Sequence, residues 1–362
     1  MDARVSLVLV RGRLHRGRAL SLDEAQALVL TGGDLADVYR IYGSELSPYS
    51  VKVRSWFRFK GLPHEWILRT TATQAEFQKY AKLPLVPLVV TPASEGLQDS
   101  TPIMEKLDAA RPEPTLLPED PTLTFLSALL EEYGDEWGNK WMFHFRWSRA
   151  PDVWATAERI ARQIAEPQGP LAVATARAAI AERMTGRLGF VGSSAATAPL
   201  IEESFARATA LLETHLATRP YLLGARPAMA DFGLWGQFYE LATDPTPGAR
   251  LRKEAPNVSA WIARMVAPAV EGPFESWTAL RAGLMPLLRD EVAAWFLPWS
   301  EANARAIAGD ARSFEVELAG RRWVQEPQKY HARSLAELKR KHAAAKDAPG
   351  LAAILHEAGI RL

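Results

Sequence analysis

The chain of 362 residues contains no cysteine. That absence excludes a disulfide framework, a thiolate metal site, an iron–sulfur cluster and a cysteine nucleophile. Any thiol chemistry must use a thiol carried by a ligand. Charge of one sign is lacking as well. Lys and Arg number 43 against 42 Asp and Glu, and a net charge of +1 gives no general attraction to nucleic acid or an anionic membrane. No apolar run reaches the length of a membrane span. The seven histidines show no metal-ligand spacing, and no glycine-rich phosphate loop joins a strand to a helix. The expectation is a cytoplasmic protein with no metal, no nucleic acid and no membrane partner.

What is present is apolar. Hydrophobic residues make up 48% of the chain and charged residues 23%, which allows a large core, and the length favours two domains. The twelve tryptophans belong mostly in that core, with some available to line an apolar pocket. Residues 1–37 read as an unstructured leader, or as a start placed too early, rather than an organellar presequence. Within it Ser21 and Glu24 form a capping box for a short helix through Leu30.

From Val38 the pattern becomes regular. "VYRIYG" predicts a buried strand, 48–60 a helix stopped by Gly61 and Pro63, and "HEWILRT" a second strand. "TQAEFQKYAK" predicts a helix, "LPLVPLVVT" a third strand, "EGLQ" a fourth, and "STPIMEKLDAA" a helix with Pro102 harmless in its first turn. The order β-α-β-α-β-β-α makes 38–110 one compact α/β domain. Proline inside a strand marks an edge, a bulge, a strand end or a cis bond, so Pro87 after Val86 needs a reason. "RPEPTLLPEDP" at 111–121 is a stiff linker. Residues 122–272 read as all-helical, with helices over 122–148, 151–166, 170–187, 197–217, 229–243 and 256–268. Residues 273–362 form an α+β extension. It holds a tryptophan-rich helix from Met285 to about Ala308, a hairpin turning at Ala319–Gly320, and helices over 331–346 and 350–358.

Ser47 and Pro48 stand where the first helix begins. Serine is a good N-cap and proline a good first helical residue, so a plain helix start accounts for both. A hydroxyl facing a ligand at the positive end of a helix accounts for them equally. Ser44 and Ser50 are weaker alternatives for that role. Farther on, "EEYGDEWGNKWMFHFRWSR" places Trp137, Trp141, His144 and Ser148 near one helical face, which fits either a helix–helix core or a pocket wall.

Five segments in order resemble the glutathione S-transferase superfamily: "SPYSVKVR", "LVPLVV", "LQDSTPIMEKLD", "TLLPEDP" and "YLLGARPAMADFGLWG". The resemblance covers about 38–270 and leaves both ends outside it. It implies a thioredoxin-like N-terminal domain, an all-α C-terminal domain, a homodimer, and glutathione as co-substrate. It further implies that Ser47 stabilises the glutathione thiolate for attack on an apolar electrophile, and that the Val86–Pro87 bond is cis. Val86 would then offer backbone groups to the cysteinyl part of the tripeptide, as an added strand does. Ser100 would take the γ-glutamyl carboxylate and Asp99 the ammonium. Tyr49, Trp137, Trp141 and His144 would line the electrophile pocket. Leu85 stands where the family often has lysine or glycine, which leaves Lys79, Lys82 and Gln74 as substitutes for the glycyl carboxylate. Asp231 opens a buried helix, but Ala228 replaces the hydroxyl residue of the family's capping box, so half of that box is missing.

The chemistry is within reach of these residues. The thiolate is the nucleophile. Lowering a thiol pKa by about two units takes about 2.7 kcal/mol of preferential thiolate stabilisation. A charge-assisted hydrogen bond and a helix N-terminus together supply that order of magnitude. Isomerisation, dehalogenation and ether cleavage are related outcomes on this scaffold. A glutathione transferase-like binding protein without catalysis is the alternative.

Overall fold

The computed structural model describes residues 38–362. The leader and the helix expected through Leu30 lie outside the described residues. Strand β1 (Tyr39–Gly43) leads into helix α1 (Pro48–Phe59), β2 (His64–Leu68), α2 (Gln74–Tyr80), β3 (Leu88–Val90), β4 (Gly96–Gln98) and α3 (Ser100–Ala110). The sheet order is β2-β1-β3-β4. β1 and β2 are parallel, while β1–β3 and β3–β4 are antiparallel. A βαβ unit followed by ββα is the thioredoxin-like arrangement expected from the sequence. The third strand is shorter than its apolar run. Its N-terminal half, Leu83–Val86, is irregular chain that enters β3 through a cis Val86–Pro87 bond.

The helical domain starts with α4 (Pro121–Glu132), whose N-cap Asp120 accepts from Thr122 N at 2.8 Å. A π-helical turn over Tyr133–Gly138 joins α4 to α5 (Asn139–Ser148). Next come α6 (Ala150–Ala165), α7 (Pro170–Thr185), α8 (Ala198–Leu216), α9 (Met229–Thr243), α10 (Pro245–Glu254) and α11 (Pro256–Arg264). Helix α10 was not expected. Its two prolines read as loop, yet Pro245 and Pro247 fall in the first turn, where the missing N–H groups have no intrahelical partner to lose. Helix α9 runs through the middle of the molecule and is buried almost all round. It meets α4 and the π turn at glycines: a Cβ on Gly134 would lie 2.5 Å from Leu234 N, and one on Gly233 2.6 Å from Glu131 O.

The extension begins with α12 (Trp277–Leu287), a second π-helical stretch (Leu288–Phe296) and α13 (Leu297–Ala308). This rod starts eight residues before the expected Met285. The hairpin β5 (Phe314–Leu318) and β6 (Arg321–Gln325) follows, with Ala319 and Gly320 at positive φ in its turn, and then α14 (His331–Ala345) and α15 (Leu351–Glu357). One apolar cluster holds side chains from Tyr39 to Ile360, so both domains and the extension share a core. Among the described residues no helix is long and apolar enough to cross a membrane.

Candidate active site

Ser47 immediately precedes α1. Its side chain caps α1, accepting from Ser50 N at 3.3 Å, and it also lines a cleft of about 330 Å³ between the α/β domain and α5–α7. Pro48 at the first helical position has no N–H to leave unsatisfied. Tyr49 lines the same cleft, and its hydroxyl is held by donation to the carbonyl of Asp135 at 2.9 Å. Ser44 borders the cleft too, whereas Ser50 is buried in the core with its hydroxyl unpartnered.

A second cavity of about 710 Å³ shares Ser44, Arg69, Ile160 and Ile164 with the first. Val86 lines it, and neither backbone hydrogen-bonding group of Val86 has a partner among the described residues. The approach to Val86 is fixed by Gln98, a residue that did not stand out in the sequence. Its amide oxygen accepts from Lys82 N and Leu83 N, and its amide nitrogen donates to Leu83 O and Leu85 O. Arg69 lines both cavities and donates to Gln74 Oε1 and Pro84 O. Of the three substitutes considered for a carboxylate contact, only Gln74 borders a cavity, and Lys79 is paired with Glu76 at 2.5 Å.

Ser100 opens α3 and is buried. Asp99 precedes it at φ 79° and accepts from the hydroxyl of Tyr330, a residue of the extension. Surrounding chain raises the Asp99 carboxyl above its ordinary 3.8, although Asp99 keeps a solvent-facing side. Beneath this end of the site lies a buried ion-pair network. Lys52 of α1 donates to Glu131 at 2.5 Å, to Asp135 at 2.6 Å and to Thr101 at 3.1 Å. One lysine cannot keep two adjacent carboxylates fully ionised in a dry interior. Glu131 is held below its ordinary value, chiefly by Lys52 against burial, and burial pushes Asp135 up to about 8. The network ties α1 and α3 of the first domain to α4 and the π turn of the second. Its sequence signal was a lysine between Val51 and Val53, a charge set among apolar residues.

The electrophile-pocket assignment of Trp137, Trp141 and His144 is corrected by the structure. None of the three lines the cleft. Trp137 and Trp141 are fully buried and both donate to Ser204 Oγ, at 2.8 and 3.0 Å. Trp137 packs against Trp295, Trp299 and Trp323 of the extension, the part of the chain the resemblance does not cover. His144 is buried between Ser193 Oγ at 2.8 Å and Glu202 Oε1 at 3.1 Å. The α5 side chains in the cleft are instead Asn139, Met142, Phe143, Arg146 and Trp147, facing Ile160 and Ile164 of α6 and Met184 of α7. Helix α5 is apolar on both sides, so periodicity shows two candidate faces without ranking them. Arg146 is committed to Glu240 and Asp244, both at 2.7 Å, and serves as structure.

Asp231 accepts from Ala228 N and Leu222 N at 2.9 Å and from Trp261 Nε1 at 3.0 Å. Its half of the capping box is therefore present without a hydroxyl at Ala228. Burial raises its carboxyl to about 6 against the pull of those N–H donors.

Comparison with known proteins adds the following. Residues 41–115 match the family model described as "Glutathione S-transferase, N-terminal domain", and residues 172–264 match "Glutathione S-transferase, C-terminal domain". No curated protein matches the chain. Among solved structures, a glutathione S-transferase of Methylobacterium radiotolerans in complex with glutathione sulfonate is 21% identical, with 66% of this chain and 96% of that chain covered and a TM-score of 0.39. The beta-etherase LigF of Sphingobium sp. strain SYK-6 is 19% identical over 68% of this chain and 98% of that chain, at 0.43. A glutathione S-transferase of Rhodospirillum rubrum F11 is 15% identical over 82% and 99%, at 0.42.

Proposed function

We propose that this chain, a member of the glutathione S-transferase superfamily through its two matched segments, is a glutathione-dependent transferase whose thiolate is stabilised by Ser47. The observation that carries the reading is the position of that hydroxyl, at the N-terminus of α1 and on the wall of an interdomain cleft. The sulfur of glutathione would lie against Ser47 Oγ–H at the N-terminus of α1, where hydrogen bonding and the helix dipole both favour its anion. The unpartnered backbone of Val86 supports binding of the cysteinyl peptide as an added strand. Ser100 and Asp99 serve the γ-glutamyl end, with the ammonium sharing Asp99 with Tyr330. Arg69 is the cationic side chain best placed for the glycyl carboxylate. The electrophile would sit on the apolar wall of Met142, Phe143, Ile160 and Ile164.

The test is a calorimetric titration with glutathione and a conjugation assay with an aryl halide, run on the wild type and on Ser47→Ala. The expected result is glutathione binding in both proteins, a raised pKa of the bound thiol in the variant by ultraviolet titration, and at least a tenfold loss of rate from the missing charge-assisted bond. An unchanged rate would remove Ser47 from the mechanism. Absence of glutathione affinity at millimolar concentration would favour a binding protein without catalysis.

A further inference from the structure

Glu132 is the last residue of α4, and Glu136 lies one turn on in the π-helical stretch. His331 is the first residue of α14, on the extension. Far apart in the chain, the three converge: one carboxylate oxygen from each glutamate and a ring nitrogen of His331 all lie within 4.8 Å of one another. The imidazole is held firmly. Its ring packs against Trp299 with centroids 4.5 Å apart, and its Nε2 lies 2.6 Å from Ser300 Oγ. Its Nδ1 faces Glu136 Oε2 at 3.0 Å and Ser334 Oγ at 3.2 Å. A hydrogen bond on one ring nitrogen that fixes the direction of the other is the usual support of a ligating histidine.

A second observation points to a missing cation. The Oε1 atom of Glu132 is buried and has no hydrogen-bond partner among the described residues. Within two turns the chain places four carboxylates, Glu131, Glu132, Asp135 and Glu136, and the lysine buried among them, Lys52, is already bound to Glu131 and Asp135. Buried carboxylates are ordinarily paired or coordinate a metal. Among the described residues the Oε1 atom of the half-buried Glu132 has neither support.

We propose that Glu132, Glu136 and His331 form a binding site for a divalent transition-metal ion of the zinc class. One imidazole with two carboxylates is a mixed nitrogen and oxygen set, suited to such ions more than to calcium or magnesium, which take oxygen alone. Metal–ligand distances of about 2.0–2.2 Å require ligand atoms roughly 3.3 Å apart. The Nδ1–Oε2 pair is already at 3.0 Å, and binding requires the Glu132 oxygen, within 4.8 Å of the other two ligand atoms, to move closer to them. The ion would join the extension, through His331, to the helical domain, through both glutamates. It therefore acts as a clamp on the extension and is independent of the glutathione reading.

The test uses the full-length protein stripped with a chelator and titrated with zinc chloride alone, by calorimetry and by thermal unfolding. One saturable equivalent with a rise in Tm of several degrees is expected. Glu132→Gln removes an unpartnered carboxylate and leaves the His331–Glu136 contact intact. Without zinc this variant melts no lower than the wild type; with zinc it loses at least tenfold in affinity and melts below it. His331→Asn is expected to lose the same binding. A wild type whose Tm and heat signal zinc leaves unmoved would overturn the proposal, as would equal affinity in the wild type and Glu132→Gln.

Discussion

Lys140 is buried with its ammonium 3.6 Å from the centroid of the Trp299 ring and 5.5 and 5.6 Å from those of Trp137 and Trp323. Its hydrogen bonds go to Val191 O at 3.2 Å and Gln325 Oε1 at 3.3 Å, and among the described residues no carboxylate forms an ion pair with it. Burial pushes the ammonium well below its ordinary 10.5, against the pull of the Glu136 carboxylate. With the folded value below the unfolded one, the unfolded chain holds more protons in between. The wild type therefore gains stability as pH rises from the folded value toward 10.5. Lys140→Met keeps the stem and removes the charge. It is expected to raise Tm at pH 7 by a few degrees and to flatten the dependence of Tm on pH above neutrality. A variant less stable than the wild type would show that the tryptophan faces outweigh desolvation. The sequence displayed Lys140 as one more charge in an aromatic stretch. Nothing in it could show that Trp299, Trp323 and Gln325 come from a segment far along the chain.

At the scale of elements, the extension is attached through both of its faces. Glu291 on the π-helical stretch accepts from Tyr133 at 2.9 Å, Ser204 at 2.6 Å and Arg207 at 2.7 Å, which lie on the π turn and on α8. Burial raises the Glu291 carboxyl from 4.5 to about 7. The folded state thus takes this proton more readily than the unfolded chain. The stabilisation is complete below pH 4.5 and is lost as pH rises through about 7. Glu291→Gln fixes the uncharged form. The Tm of the wild type minus that of the variant is expected to fall between pH 5 and 8, and a constant difference would show that Glu291 stays ionised throughout. Element positions were largely legible beforehand: β1, α1, α3, α9 and the hairpin lie within a residue or two of where the pattern puts them. The π turn was not. It inserts into a continuous helical pattern without a proline, at the place where Gly134 closely approaches α9, a tertiary contact.

For the whole molecule, the shared core makes a prediction about cooperativity. Side chains of both domains and of the extension belong to one apolar cluster, with smaller clusters at α6–α7 and under α2, and the Lys52 network crosses between the two domains. Calorimetry on the full chain is expected to show one unfolding transition, with the extension melting together with both domains. A separate low-temperature transition would mean that the extension is a satellite. The position of Tyr330 on Asp99 belongs to this scale as well. It brings the extension to the N-terminus of α3, the end proposed above for the γ-glutamyl group, a place the sequence could not assign to residues 273–362.

By itself the sequence determined the α/β domain, the helical second domain, the capping role of Ser47 and the absence of any thiol. These follow from periodicity, from prolines and caps, and from composition, all of which act over a few residues or over none. Tertiary structure alone decided which apolar face of α5 meets the cleft, that Trp137, Trp141 and His144 belong to the core, and that Lys52, Gln98, Arg69 and His331 matter. The reason is physical. A helix apolar on both sides, or a charge whose partner lies far along the chain, acquires its meaning only from what packs against it.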